Sequence, residues 1–363
     1  MAPLPASPGP PAAGAEAALG GAVAAAAAFD VVGVGVAAVD DIVWVEAYPP
    51  ADAKVRVTRR ERHPGGLTAT ALVAAARLGA RCAYAGILGD DDDSLWVLEH
   101  LAAEGIETRC TTRLPGAGPV RSIIVVGTYR HTRNVFSDAS RVFDLPDEPD
   151  QVAPASVAGR TAQAAVAGDS HQAAVEGDGH RSVLDHAVGT ARVLLVDHVY
   201  PALAIRAARA VRDRGGVVVA DLEKDVSPRL PELVELVDHL VLSRPFATRL
   251  SGAAEPGQAA AALYRPGRTA VVTCGADGAW YAADETGGLP EHQPAFAVET
   301  VDTTGCGDVF HGAYAAALAR RLSLAERLRF ASAAAALKAT RPGGQAGIPD
   351  LQAVARFLEE RGG

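Results

Sequence analysis

With 363 residues the chain can form one large α/β domain or two small ones, and its 49% hydrophobic content fills a sizeable core of Ala, Val and Leu, since aromatics reach only 5%. A formal net charge of −9 excludes nucleic acid and an anionic membrane surface as the main partner. Cys82, Cys110, Cys274 and Cys306 have no CxxC spacing and no neighbouring His cluster, so neither a zinc site nor a disulfide framework is expected, and a reducing cytoplasm fits.

No apolar run reaches the length that spans a bilayer, so no membrane partner is expected. Residues 1–28 lack the Lys/Arg start of a secretory signal and read as a disordered Ala/Pro/Gly tail, with the folded chain expected over 29–363. Asp30–Ala38 (DVVGVGVAA) is a β-branched apolar run of buried-strand type. Its Gly33, Gly35 and Ala38 match a GxGxxA dinucleotide fingerprint. That motif needs a helix straight after the glycines, whereas Asp40 onward (DDIVWVEAYP) stays extended, so a dehydrogenase is set aside. Asp40 is expected at the end of this first strand, where open α/β sheets bind ligands, as a carboxylate able to accept two hydroxyls. Asp41 reads as structural.

Lys54–His63 (KVRVTRRERH) alternates over strand-like length, and Pro64, Gly65 and Gly66 then turn into a helix that stops at Gly79. Ala83–Gly89 is expected as a second core strand. The acidic run Asp90–Asp93 reads as the solvated start of a helix Ser94–Ala103 and not as a metal site, because consecutive side chains diverge. Val120–Thr128 and the following YRHTRNVF form a hairpin. Residues 147–183 lose both periods and read as a flexible insertion, with His171 and His180 solvated.

The pattern resumes with Ala191–Asp197, a helix Ala202–Arg214, Val217–Asp221, a helix around Leu230–Val237, and His239–Ser243. Strands alternating with amphipathic helices predict a parallel sheet with crossover helices, and place Asp197 and Asp221 at strand ends facing one crevice. Ala270–Gly278 is a strand ending in a glycine turn, Ala325–Thr340 a helix, and Arg341–Gly347 a glycine loop.

Val301–Leu318 (VDTTGCGDVFHGAYAAAL) runs a polar, glycine-spaced loop into an apolar helix. Gly305 and Gly307, flanking Cys306, let successive amides turn toward one anion, and a helix starting near Gly307 adds its unpaired amides and positive dipole end: a phosphate cradle. Asp308 puts a carboxylate beside it that could accept a proton from a hydroxyl attacking a phosphoryl group. The helix dipole is expected to lower its pKa.

DTTGCGD followed by VFHGAYAAAL resembles the DTxGAGD signature of the ribokinase-like (PfkB) carbohydrate kinases, with Cys306 where the family usually has Ala, and PGGLTATALVAAARLGA resembles the family's first signature. The resemblance covers about residues 30–360. It implies a three-layer α/β/α sandwich with a mostly parallel central sheet and a small β-sheet lid, formed by about 42–63 and 119–137. It also implies an anion hole of Gly305, Cys306, Gly307 and Asp308 with Asp308 as catalytic base, and a sugar site drawing on Asp40, Lys54, Gly65, Gly66 and Thr70. Thr273, Gly275, Gly278, Thr303 and Gly344 would meet ATP, with Mg2+ held by its phosphates and waters and no protein metal site; many members add K+, and related kinases dimerise through the lid.

EHQPAF, VDTTGCGDVFHGA and ALKATRPGGQAGIPD resemble the 6-deoxy-6-sulfofructose kinases of the family most, so a primary hydroxyl of a ketose or modified fructose is the expected acceptor. The chain departs from family patterns at Leu67 and Thr70, at Ser243 and Phe246 where many relatives carry NxxE, and at Val199 where a sulfonate-binding Arg is expected. Arg56, Arg130 and Arg133 are the lid cations that could replace it. A ribose or nucleoside kinase, or a non-catalytic sugar- or nucleotide-binding protein of the same fold, are the alternatives.

Overall fold

The computed structural model describes residues 29–129, 132–145, 185, 187–225 and 227–362. The tail 1–28, the insertion 147–183 and Arg130 lie outside the described residues. The main sheet comprises β1 (Phe29–Val34), β4 (Cys82–Tyr84), β9 (Ala191–Asp197), β10 (Val217–Leu222), β11 (His239–Ser243), β12 (Thr269–Thr273), β13 (Ala279–Ala282) and β14 (Glu291–Gln293). Their order is β14-β13-β12-β11-β10-β9-β1-β4, parallel except for β13 and β14. Central strands read as unbroken apolar runs because both faces are covered.

One face carries α1 (Leu67–Arg77), α7 (Cys306–Ala319), α8 (Leu324–Ala339) and α9 (Leu351–Glu360). The other carries α3 (Pro201–Arg212), α4 (Leu230–Glu235), α5 (Arg244–Ser251) and α6 (Pro256–Leu263). This is the three-layer α/β/α sandwich that the resemblance implies. No described helix is long and apolar enough to cross a membrane.

A second sheet, order β3-β2-β7-β8, is the lid: β2 (Ala38–Val45), β3 (Arg59–Gly65), β7 (Val120–Gly127) and β8 (Thr132–Asp138). A short parallel pair, β5 (Ile87–Leu88) and β6 (Thr112–Arg113), lies beside α2 (Asp92–Ala103) in the chain. The expected hairpin is present as β7 and β8.

Three local expectations are corrected. The run Asp30–Ala38 is not one strand: it leaves the main sheet after Val34 and enters the lid at Ala38. The cause is Asp197, whose buried carboxylate accepts hydrogen bonds from Val36 N at 2.6 Å and Thr68 Oγ1 at 2.8 Å. A Cβ on Gly35 would stand 2.2 Å from that carboxylate, so only glycine passes here. Asp40 therefore lies within β2 of the lid, not at the end of β1.

The second correction is at Ala83–Gly89, which breaks between β4 and β5, where Tyr84 Oη donates to Gly35 O at 3.0 Å and fills the space beside Gly86. The third is at Lys54–His63, of which only Arg59 onward is strand. Lys54 is exposed in the approach to β3, and Val55, Arg56 and Thr58 line an open hollow together with Glu46, Ala47 and Tyr129.

The acidic run has two structural tasks. Asp91 caps α2, accepting from the amides of Asp93 and Ser94. Asp93, nearly buried, pairs with Arg62 of β3 at 2.9 Å and with Arg121 of β7, pinning the lid to the body. Asp41 pairs with Arg62 at 3.1 Å, as the structural reading expected.

Candidate active site

Gly305 takes a left-handed φ of 77° as the N-cap of α7, which then starts at Cys306. Asp302 shapes the loop before it: its Oδ1 accepts from Thr304 N at 2.9 Å and its Oδ2 from Gly343 N at 2.8 Å. The anion loop and the 341–347 glycine loop thus lie face to face, and a Cβ on Gly305 would stand 3.4 Å from Gly344 O. Gly307 has nothing within 4 Å of its Cβ direction, so its surroundings are open to a ligand.

Asp308 sits in the first turn of α7, half-buried. Its carboxyl is raised well above the usual carboxylate range, by burial first and then by the neighbouring charge of Asp221. This reverses the expectation from the helix dipole, a partly screened effect of about 1 kcal/mol that loses to desolvation plus a like charge. Asp221, near the end of β10, is raised in the same direction by burial, with Glu223 and Asp197 adding to it.

Between the two aspartates stands His311, one helical turn after Asp308 and almost fully buried. Its Nδ1 faces Gly307 O at 2.8 Å and Asp221 Oδ2 at 3.2 Å, and its Nε2 faces Val241 O at 2.9 Å. Its positive form pulls the Asp308 carboxyl back down. The helical spacing of Asp308 and His311 is visible in the sequence; the meeting with Asp221 is not.

These opposed charges give an expected pH response. Asp308 accepts a proton only when ionised, so turnover should fall as pH drops through its raised pKa. Asp221→Asn removes the like charge and should move the acidic limb of kcat to lower pH; a pH–rate profile of both proteins checks the sign.

Above the cradle, the lid presents Asp40 and Arg133 on one face. Asp40 is mostly buried against Gly65 and Ser122, and its carboxyl is raised by burial while Ser122, His63 and Arg133 oppose the shift. Arg133 Nη1 donates to Thr304 Oγ1 at 2.6 Å, linking β8 directly to the anion loop. Sequence alone offered Arg133 as one of three lid cations and could not place it.

The remaining expected site residues separate into groups. Gly66 caps α1 with φ 96° and Gly65 lies against Asp40, so both border the lid-body junction. Thr70 is buried and its hydroxyl accepts from Gln345 Nε2 at 3.1 Å, which ties α1 to the glycine loop and leaves it turned into the protein. Lys54 has no described contact with Asp40.

Thr273 ends β12, hydrogen-bonded to Leu242 O, and is followed by Gly275 and Gly278, both at positive φ. Thr303 is exposed in the anion loop, its carbonyl taking Cys306 N at 3.1 Å. The Cys306 thiol is pushed up by burial. Ser243 and Phe246, at the NxxE positions, form the N-cap and buried side of α5. All four cysteines are free, and among the described residues no cluster of three His, Cys, Asp or Glu side chains could hold a metal ion.

A phosphate cradle with a carboxylate in its first helical turn, facing a lid that carries another, defines a phosphotransferase acting on a hydroxyl group. The description "pfkB family carbohydrate kinase" matches residues 30–351. The chain belongs to that family and is a sugar kinase. It is 26% identical to the ribokinase of Bacillus subtilis over 325 residues, covering 90% of this chain and 98% of that one. It is also 26% identical to the aminoimidazole riboside kinase of Salmonella typhimurium over 313 residues, 81% of this chain and 88% of that protein. Among solved structures, Arabidopsis thaliana ribokinase complexed with ribose and ATP has a TM-score of 0.73 at 22% identity, covering 91% of this chain and 99% of that chain.

Proposed function

We propose that the protein transfers the γ-phosphoryl group of ATP to a primary hydroxyl of a ketose, with 6-deoxy-6-sulfofructose as the leading candidate. The observation that carries the transfer step is the placement of Asp308 in the first turn of α7 beside Asp221 and His311. Asp308 takes the hydroxyl proton as the sugar oxygen bonds to the γ-phosphorus and the bond to the ADP oxygen breaks. Its raised pKa makes it a better acceptor than an ordinary carboxylate. The amides of Gly305, Gly307 and Asp308 stabilise charge on the phosphoryl group in flight, while that of Cys306 is held by Thr303 O and keeps the loop in shape.

Asp40 holds two sugar hydroxyls, with Gly65 and Gly66 giving close backbone approach. Thr273, Gly275, Gly278, Thr303 and Gly344 border the nucleotide. Mg2+ bound by the ATP phosphates and by waters would neutralise the developing charge. The monovalent cation that the resemblance implies meets a buried ammonium, that of Lys338, at the loop where it would bind.

Arg133 supports an acceptor with an anionic substituent, since it is a cation on the same lid face as Asp40 and reaches the anion loop. Ribose is the second reading, supported by relatives that are named ribokinase. ADP release with MgATP is to be measured on fructose, fructose 6-phosphate, 6-deoxy-6-sulfofructose, ribose and a nucleoside. A sulfonated or phosphorylated ketose that stimulates release most upholds the proposal, and ribose in first place replaces it.

A cytoplasmic homodimer through the lid completes the proposal. Ile123 and Phe136 are register partners on β7 and β8, and each is more than half exposed. Ile123→Lys should then shift sedimentation from dimer to monomer, whereas a wild-type monomer at micromolar concentration would remove the lid interface.

A further inference from the structure

Lys338 is fully buried near the end of α8. An ammonium has three donors and no acceptor, and burying it costs several kcal/mol unless oxygens surround it. Here the oxygens come from two loops. Nζ donates to Asp302 O at 2.8 Å, lies 3.5 Å from Arg341 O and stands 3.9 Å from Asp302 Oδ2. Burial lowers the Lys338 pKa, and Asp302 and Cys306 pull it back.

A monovalent cation placed where the anion loop and the 341–347 loop meet at Nζ would need these same oxygens. Its natural acceptors are the carbonyls of Asp302 and Arg341, both turned onto Nζ, and the Asp302 carboxylate, whose two oxygens already hold the amides of Thr304 and Gly343. A second cation placed there would stand against the ammonium in a water-poor interior, where like charges repel strongly. The residues present therefore do not fit a K+ ion.

We infer that Lys338 is an internal replacement for a monovalent cation: a positioning residue that holds the anion loop against the glycine loop and makes turnover independent of K+. The ammonium does what an ion of similar size does for carbonyl oxygens on two chain segments, and it cannot be diluted away. Its position is set by α8 packing on α7, so the brace is built before any ligand arrives. The inference rests on the kinase reading only for its activity arm.

The test compares K+, Na+ and tetramethylammonium chlorides at one ionic strength, on wild type and Lys338→Met. Wild-type kcat and KM for ATP should agree within about twofold in the three salts, and the Tm of the ligand-free protein should not respond to K+ in particular. Lys338→Met should lose turnover in tetramethylammonium and recover part of it in K+, with a Tm rise specific to K+. A merely packing role would leave the variant blind to which cation is present and would overturn the inference. So would a wild type stimulated more than about fivefold by K+, or a Lys338→Met protein with full turnover in tetramethylammonium. If no sugar stimulates ADP release in any salt, the kinase reading fails on its own, while the Tm comparison still decides the role of Lys338.

Discussion

Asp308→Asn is expected to lower kcat by about a thousandfold while leaving KM for ATP and sugar within a few-fold, the range that a positioned general base supplies. The amide keeps the shape of the side chain and its place at the N-terminus of α7, so the course of the loop through Gly305 and Gly307 is unchanged. What is lost is the proton acceptor. Phosphoryl transfer passes through a loose transition state, so positioning and the cradle retain part of the rate, and the residual activity should exceed that of free solution by orders of magnitude. The substitution also removes one of two repelling carboxyls, and stability should hold or rise slightly. Single-turnover phosphoryl transfer together with a thermal melt checks both. A near wild-type rate in a folded protein would take Asp308 out of the mechanism and leave Asp221 as the remaining carboxylate of the pair.

Much of the architecture follows from local pattern, and its misreadings have one cause. The strands β9, β10 and β11 are continuous apolar runs between polar turns, so periodicity finds them without tertiary information. The cradle is equally local, because its glycines and Asp308 lie within one turn of chain. The break after Val34 depends on Asp197, far along the sequence, whose carboxylate takes the Val36 amide that would otherwise have continued the strand. The upward shift of Asp308 comes from burial first and then from Asp221, which arrives from β10. Arg133 reaches Thr304 across 171 residues, and Lys338 reaches Asp302 across 36. In each case the sequence displays the charged group and withholds its partner.

The largest expected loss of stability comes from a position that looks permissive. Gly312 lies in the middle of α7, where alanine has the better helix propensity by about 1 kcal/mol. Yet a Cβ there would stand 2.0 Å from Ala71 O and 2.8 Å from Ala71 C, backbone atoms of α1 that cannot swing aside. The neighbouring Ala74 Cβ, at 2.9 Å, closes the remaining route. Gly312→Ala must therefore push two buried helices apart, an overpacking cost of about 3 kcal/mol or more that exceeds the propensity gain. The separation also reaches the site, since α7 carries Asp308 and His311 just before this contact, and α1 carries Thr68, the partner of Asp197. Melting should therefore move down by several degrees, and kcat/KM should fall even at temperatures where the variant is fully folded. Gly312→Leu should not fold. A Gly312→Ala protein that melts at or above the wild-type temperature would show that α1 and α7 can separate freely, and would make their contact incidental to the placement of Asp308.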